Sequence, residues 1–288
     1  MIFDATIKEL LNKKLSQLEK KLQGDVIFYL GEIQPGLLRL FRDLIEDLRR
    51  EKKNNERLII ILNTTGGSAE IAEKMVDIIR KHYKEIFFVV PDFAMSAGTI
   101  FCMSGDKIYM DYSSSLGPID PQVWNGKQWV PALGYLDKVE ELLEKDRKGA
   151  LTKAGFLILQ SQDLAMLSRC EQAKALTITL LKKWLVDHKF KDWATHQTDP
   201  IKKGQPVTMQ EKEARAEEIA DLLGNNKEWH SHGRMIGIET LRKKARLKIE
   251  DFSEDFYLHP LIRSYNDLLT EYLARNNFNT FLHSRKFF

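Results

Sequence analysis

Leu58-Ile59-Ile60-Ile61-Leu62, running into Asn63-Thr64-Thr65-Gly66-Gly67-Ser68, and Ile86-Phe87-Phe88-Val89-Val90, running shortly into Ala94-Met95-Ser96-Ala97-Gly98-Thr99, decide how this chain is read. Each apolar run is short, rich in β-branched or aromatic residues and bounded by turn residues, which predicts a buried strand. Small residues after Ser96 open a helix. A hydroxyl on a tight strand-to-helix turn, beside a glycine pair on a neighbouring strand, can place a nucleophile next to backbone donors that stabilise an oxyanion. Ser96 is therefore the candidate nucleophile; the alternative use of such a serine is to cap the helix.

Working outward, strand and helix alternate. Asp25 to Ile33 reads as a strand ended by Gln34-Pro35-Gly36, followed by a helix through Leu37, Leu40, Phe41, Leu44, Ile45 and Leu48. A helix from about Ala69 to His82 carries the stripe Ile71, Ala72, Met75, Val76 and Ile79, and Lys107 to Asp111 is a further strand. Alternation with short loops predicts a mainly parallel sheet covered on both faces, with sites beyond the carboxyl ends of its strands. Both turns lie at such ends.

The flanks are helical. Ile7, Leu10, Leu11, Leu15, Leu18 and Leu22 predict an amphipathic helix within residues 1–24. Residues 25–130 form the expected core, 131–251 a helical region that closes it, and 252–288 a mostly helical tail. Pro131 begins one helix, Thr152 caps a long one reaching about Asp187, and Thr208-Met209-Gln210-Glu211 is a capping box for another. Ile238 to Leu247 is a short helix.

Composition narrows the function classes. Of 288 residues, 44 are basic and 41 acidic, a net charge of +3, which does not call for nucleic acid. No apolar run is long enough to span a membrane, and no signal peptide is expected at Met1–Glu9, so the expected setting is cytoplasmic. Cys102 and Cys170 lack the spacing of a disulfide framework or zinc knuckle, and Cys102 is expected in the core. His230 and His232 have no cysteine or carboxylate cluster beside them, so neither a metal nor a cofactor is expected.

Four stretches together resemble the Clp protease/crotonase superfold: Gly31-Glu32-Ile33, Asn63 to Ser68, Met95 to Thr99, and Ser115-Leu116-Gly117-Pro118-Ile119-Asp120-Pro121-Gln122. More closely they look like the serine-dehydrogenase-proteinase family, relatives of signal peptide peptidase A and of the Clp proteolytic subunit. The resemblance covers about residues 25–125, and Trp229 to Asp251 looks like the family's closing piece. It implies an α/β fold, a repeated ββα spiral with a mainly parallel sheet plus a helical C-terminal region.

In function, the resemblance implies a serine peptidase that cleaves extended or unfolded peptides and assembles into oligomers of itself. Ser96 would attack, the N–H groups of Gly67 and Ala97 would form the oxyanion hole, and the stretch from Gly66 to Ser68 would pair with substrate as an added strand. Two other readings stay open: a crotonase-type enzyme acting on an acyl-coenzyme A, and a catalytically silent scaffold of the same superfold.

The proton acceptor is open at this level. The Clp proteolytic subunit takes a histidine from near the position of Pro118, where this chain has none. Signal peptide peptidase A uses a lysine some fifty residues after its serine; Lys138, Lys145, Lys148 and Lys153 lie in that neighbourhood. Lys148, before Gly149-Ala150, fits best, because a lysine base must be desolvated and glycine and small neighbours allow close packing. His232 is the other candidate, since histidine titrates near neutral pH.

Overall fold

A computed structural model describes residues 2–51, 55–197 and 200–287. In chain order the elements are α1 (Ile2–Leu22), β1 (Asp25–Leu30), α2 (Pro35–Arg50), β2 (Arg57–Asn63), α3 (Ala69–His82), β3 (Glu85–Val89), β4 (Phe93–Ala94), α4 (Ala97–Met103), β5 (Lys107–Met110) and β6 (Ser115–Leu116). A hairpin, β7 (Gln122–Trp124) and β8 (Trp129–Pro131), leads to α5 (Ala132–Arg147), α6 (Lys153–Gln160) and α7 (Leu164–Trp184). After a π-helical turn at Leu185–Lys189 come α8 (Met209–Leu223), α9 (Asn226–Trp229), β9 (Ile236–Gly237), α10 (Ile238–Lys243), β10 (Glu250–Asp251), α11 (Leu258–Arg275) and β11 (Phe281–Ser284). No helix among the described residues is long and apolar enough to cross a membrane.

The main sheet runs β10-β5-β3-β2-β1-β11, parallel throughout except for β11, and a small sheet β4-β6-β9 stands beside it. Successive side chains of a strand point to opposite faces, and here both faces are apolar. Ile27, Tyr29, Leu58, Ile60, Leu62, Ile86 and Phe88 enter the core under α2, α3, α4, α7 and α8. Val26, Phe28, Ile59, Ile61, Phe87 and Val89 enter a second core under α1 and α11. This is the mainly parallel, doubly covered sheet that the alternation predicts.

The second half departs from its reading in two places. The helix from Thr152 is broken: Thr152 does cap α6, accepting from the Gly155 N–H, but Asp163 then starts α7 by accepting from Ala165 and Met166. Two local N-caps eleven residues apart divide one apolar periodicity into two helices. The tail also contributes a strand, since β11 pairs antiparallel with β1. The Thr208–Glu211 capping box is present in both directions.

The segment read as a closing piece serves both sheets. β9 lies antiparallel to β6, and β10 lies parallel to β5. Cys102 is in the core, and burial raises its thiol well above its usual range.

A polar network fastens α11 to the carboxyl ends of β2, β3 and β5. Arg263 donates to Asp111 at 2.5 and 2.8 Å and to Asp92 at 3.1 Å, while Asn63 donates to Asn266 at 2.7 Å and Asn266 to Asp92 at 2.8 Å. Burial by itself would raise the Asp111 carboxyl, but Arg263 and the Ser113 N–H and hydroxyl outweigh it and hold it below its usual value. A carboxylate so held adds stability above an unfolded-state pKa of about 3.9 and loses it as pH falls through the lowered folded value. Arg263→Ala is therefore expected to cost about 1.5–3 kcal/mol at pH 7, because the buried Asp111 loses its guanidinium partner and keeps its hydrogen bonds from Ser113 and Ser114. Denaturant unfolding should show the gap from wild type narrowing below about pH 4; an unchanged midpoint at pH 7 would contradict this account.

Candidate active site

The site is built where β2 and β3 leave the sheet side by side. Thr64 and Ala94 form a parallel bridge: the Thr64 N–H donates to the Phe93 carbonyl at 3.1 Å and the Met95 N–H to the Thr64 carbonyl at 3.0 Å. The Asn63 carboxamide oxygen accepts from the N–H groups of Asp92 and Phe93. The two exits are thus tied together before either reaches its turn.

Ser96 then adopts φ 51° and ψ −113° as the residue before α4. A positive φ is uncommon for a residue with a Cβ and stores on the order of 1–3 kcal/mol of strain. It resembles the sharp strand-to-helix turn on which α/β-hydrolases expose a nucleophilic serine. The capping alternative is answered directly, because the Ser96 side chain makes no capping hydrogen bond and has no hydrogen-bond partner among the described residues. Ser96 is 7% exposed.

The glycine pair lies against this turn. A Cβ on Gly66 would stand 2.9 Å from the Met95 carbonyl oxygen and 3.0 Å from Ser96 Cβ, so only glycine lets the two backbones approach so closely. Gly66 and Gly67 have φ +111° and +136°, and a Cβ on Gly67 would fall 2.2 Å from the Ile33 carbonyl oxygen. On that side the Ile33 N–H donates to the Gly66 carbonyl at 2.7 Å, and the Ser68 N–H donates to the Ile33 carbonyl at 2.9 Å. In a ladder residue the alternate backbone groups face the other way, so the Gly67 N–H is turned from Ile33. Among the described residues neither the Gly67 N–H nor the Ala97 N–H has an acceptor. The Ser68 hydroxyl is committed to capping α3, accepting from the Ile71 N–H at 3.1 Å.

Three positioning residues were not singled out from the sequence. The Thr64 hydroxyl accepts from the Gly66 N–H at 3.1 Å and sets the glycine turn. The buried Thr99 hydroxyl lies 2.8 Å from the Ala94 carbonyl and 2.9 Å from the Gly117 carbonyl, and accepts from the Gly117 N–H at 3.0 Å. Gly98 packs so closely that a Cβ there would meet Thr64 Cγ2 at 2.3 Å. Small and hydroxyl-bearing residues beside a candidate nucleophile were the available signal.

The candidate bases fare differently. Lys148 ends α5 with its side chain 73% exposed and its ammonium 3.0 Å from Glu144. That solvated ion pair is the opposite of the desolvation for which it was chosen. A lysine that is desolvated does exist: burial, the largest influence on Lys189, brings it down to about 8. It neighbours Cys102, Asp106 and Glu250, and Cys102 is at the far end of α4 from Ser96.

His232 is half-buried, and its Nδ1 is buried without a hydrogen-bond partner. Its segment leads into β9, which shares the small sheet with β4, the strand before Ser96.

The strained serine gives a direct check. Ser96→Gly removes the cost of a Cβ at positive φ, so it should be more stable than Ser96→Ala by about 1 kcal/mol in denaturant unfolding. Lower stability for Ser96→Gly would contradict the backbone geometry of this turn.

Comparison with known proteins completes the site's setting. The sequence model of a family described as ClpP-like SDH-type serine proteinase matches residues 42–215, more than half of the chain. Two uncharacterized proteins of Methanocaldococcus jannaschii are similar: one is 29% identical over 188 residues, covering 65% of this chain and 62% of the relative. The other is 28% identical over 137 residues, covering 48% and 42%. The chain therefore spans less than two-thirds of the length of either relative.

Among solved structures, a serine-to-alanine mutant of the 1510-N membrane-bound stomatin-specific protease aligns over 78% of this chain and 76% of its own, with TM-score 0.43 and 14% identity. A lysine-to-alanine mutant of that protease in complex with a substrate peptide aligns over 78% and 72%, with TM-score 0.44 and 16% identity. On the family match, this chain belongs to the ClpP-like SDH-type serine proteinases.

Proposed function

We propose that the protein is a serine peptidase that forms an acyl-enzyme on Ser96. The observation that carries this reading is the Ser96 turn itself. The hydroxyl is neither a cap nor otherwise bonded among the described residues, and the backbone is held at φ 51° against Gly66. Membership of a serine proteinase family supports the same reaction class. Ser96 Oγ attacks the peptide carbonyl carbon, its proton passes to a base, and the carbonyl oxygen becomes an oxyanion. The unspent N–H groups of Gly67 and Ala97 are the donors for that charge, and losing one such donor costs roughly 3 kcal/mol in the transition state.

Extended peptides are the substrates this reading favours, because the backbone of Gly66 to Ser68 is already in a ladder with Ile33 on one side. Of the two bases weighed, His232 is preferred over Lys148. Its half-buried ring belongs to the segment that joins the small sheet, whereas the Lys148 ammonium is solvated and paired. The exposed apolar run Phe156-Leu157-Ile158 on α6 supports assembly with further copies of the chain.

Reaction of the folded protein with a fluorophosphonate, followed by peptide mapping, tests this reading. A single adduct on Ser96 is expected, absent from Ser96→Ala. Gly67→Ala would disturb the turn as well as the hole, so the informative partner variants are those at the base. His232→Gln is expected to slow adduct formation about a hundredfold and Lys148→Gln to leave it within about twofold. Folded protein without any Ser96 adduct would overturn the proposal and favour a silent scaffold.

A further inference from the structure

The carboxyl ends of the strands carry the Ser96 turn; their amino ends carry a separate cavity of about 520 Å³. It opens where α2 and α3 end and where β2, β3 and β5 begin, and the π-helical turn at Leu185–Lys189 forms one wall. The five residues of β3, about 16 Å of strand, lie between this cavity and the Ser96 side of the sheet. Acyl transfer at Ser96 makes no use of it.

The lining is cationic. Five lysine and arginine side chains face three carboxylates, a surplus of two positive charges, and two histidines stand among them. Two of the carboxylates are already engaged. Glu56 pairs with Lys84 at 2.6 Å, and Asp106 serves two cations, Arg80 at 2.9 Å and Lys191 at 2.5 Å. Lys81 has no ion pair among the described residues. The Arg49 guanidinium meets no carboxylate there either; it donates to the Asn55 carbonyl at 2.7 Å and lies 5.1 Å from the centroid of the Tyr83 ring. Asp187, exposed at the rim, is the one remaining counter-charge.

Arg80 is the fixed element of the wall. It donates to Asp106 at 2.9 Å, to the Lys84 carbonyl at 3.2 Å and to the Ser104 carbonyl, which leaves its side chain only 15% exposed. Its Nε is buried without a partner. Burial outweighs Asp106 and lowers the Arg80 pKa from its usual value, so the protein alone does not fully compensate this charge. Burial, with Arg80 adding to it, brings His188 down to about 4 and keeps it neutral. A neutral imidazole can donate or accept a hydrogen bond without adding to the repulsion.

A concave site of this size, lined by preformed positive charge, selects a small anion. A phosphate group carries about −1.5 to −2 charges at pH 7, which matches the surplus. A guanidinium suits its oxygens because it can donate two parallel hydrogen bonds to them. The volume is too large for one phosphate alone. We propose that this cavity binds a soluble ligand bearing two or more phosphate groups, with Lys81 and Arg49 supplying the charge that the chain leaves unmatched. The site is distinct from Ser96 and stands whether or not Ser96 is the nucleophile.

The competing role for these side chains is to complement the negative carboxyl-terminal ends of α2 and α3. In that role Lys81→Gln and Arg49→Gln lower stability slightly and no ligand is recognised. Calorimetric titration of the full chain with inorganic tripolyphosphate, and separately with ATP free of magnesium, distinguishes the two roles at about 0.1 M salt. Thermal unfolding is recorded for every variant. One equivalent is expected to bind saturably and to raise the melting temperature. Lys81→Gln and Arg49→Gln should each weaken binding about tenfold, the loss of one charge-assisted hydrogen bond. Lys127→Gln, which removes the same charge from the β7–β8 hairpin, should leave it within about twofold. Lys81 is exposed in the last turn of α3, so its variant keeps the test open even if Arg49→Gln fails to fold.

Equal affinity for the two ligands would support recognition of the phosphates alone, and tighter binding of ATP would support recognition of an organic body as well. Folded wild type that binds neither saturably, or equal losses in Lys81→Gln and Lys127→Gln, would overturn the proposal.

Discussion

The close backbone approach of Gly66 to the turn at Met95–Ala97 is the constraint on which the rest of the site depends. Two neighbouring parallel strands end at the same level, and their exits are joined at Thr64 and Ala94 before they diverge. Just beyond that bridge the two turns touch, with no room for a side chain on one partner and a strained residue on the other. Strain of this kind persists only where the surroundings over-determine it. Here they do: the Thr64 hydroxyl sets one turn, the Thr99 hydroxyl links the other to Gly117, and Gly98 fills the space between them.

That local rigidity is in turn anchored by distant parts of the chain. Asn63, Asp92 and Asp111 sit at the ends of three successive strands, and α11 supplies Arg263 and Asn266 to pair them. Arg285, just past β11, forms ion pairs with Glu19, Asp25 and Glu51 and so ties the end of the chain to α1, β1 and the residue after α2. The Tyr265 hydroxyl and His283 Nδ1 share a buried hydrogen bond between α11 and β11. The tail is thus structural support for the carboxyl-end loops, and the closing segment from Trp229 to Asp251 adds a strand to each sheet.

Much of this was legible in the sequence where the signal is local. Strands buried on both faces announce themselves as apolar runs such as Leu58–Leu62, and Thr208 with Glu211 marks a helix start by its own chemistry. The Gly66-Gly67 pair and Ser96 stand out because their backbone requirements restrict residue type. Where identity depends on tertiary neighbours, the sequence is silent. Phe281–Ser284 is too short to show a period, and becomes a strand because β1 offers an edge and Arg285 a clamp. Nothing local distinguishes β9 and β10, two residues each, from loop. The bases illustrate the same limit. Glycine beside Lys148 allows close packing but does not bring it about, and the side chain is paired with Glu144 in water. Lys189, buried in a π-helical turn, is the lysine that is desolvated, at the wrong end of α4.

The central claim is that Ser96, Gly67 and Ala97 form one reactive unit. A crystal structure of the fluorophosphonate-treated protein tests it most directly. The account predicts a bond from Ser96 Oγ to phosphorus, with the phosphoryl oxygen about 2.7–3.1 Å from both the Gly67 and the Ala97 nitrogen. An adduct on another residue, or a phosphoryl oxygen turned to solvent away from both nitrogens, would contradict it.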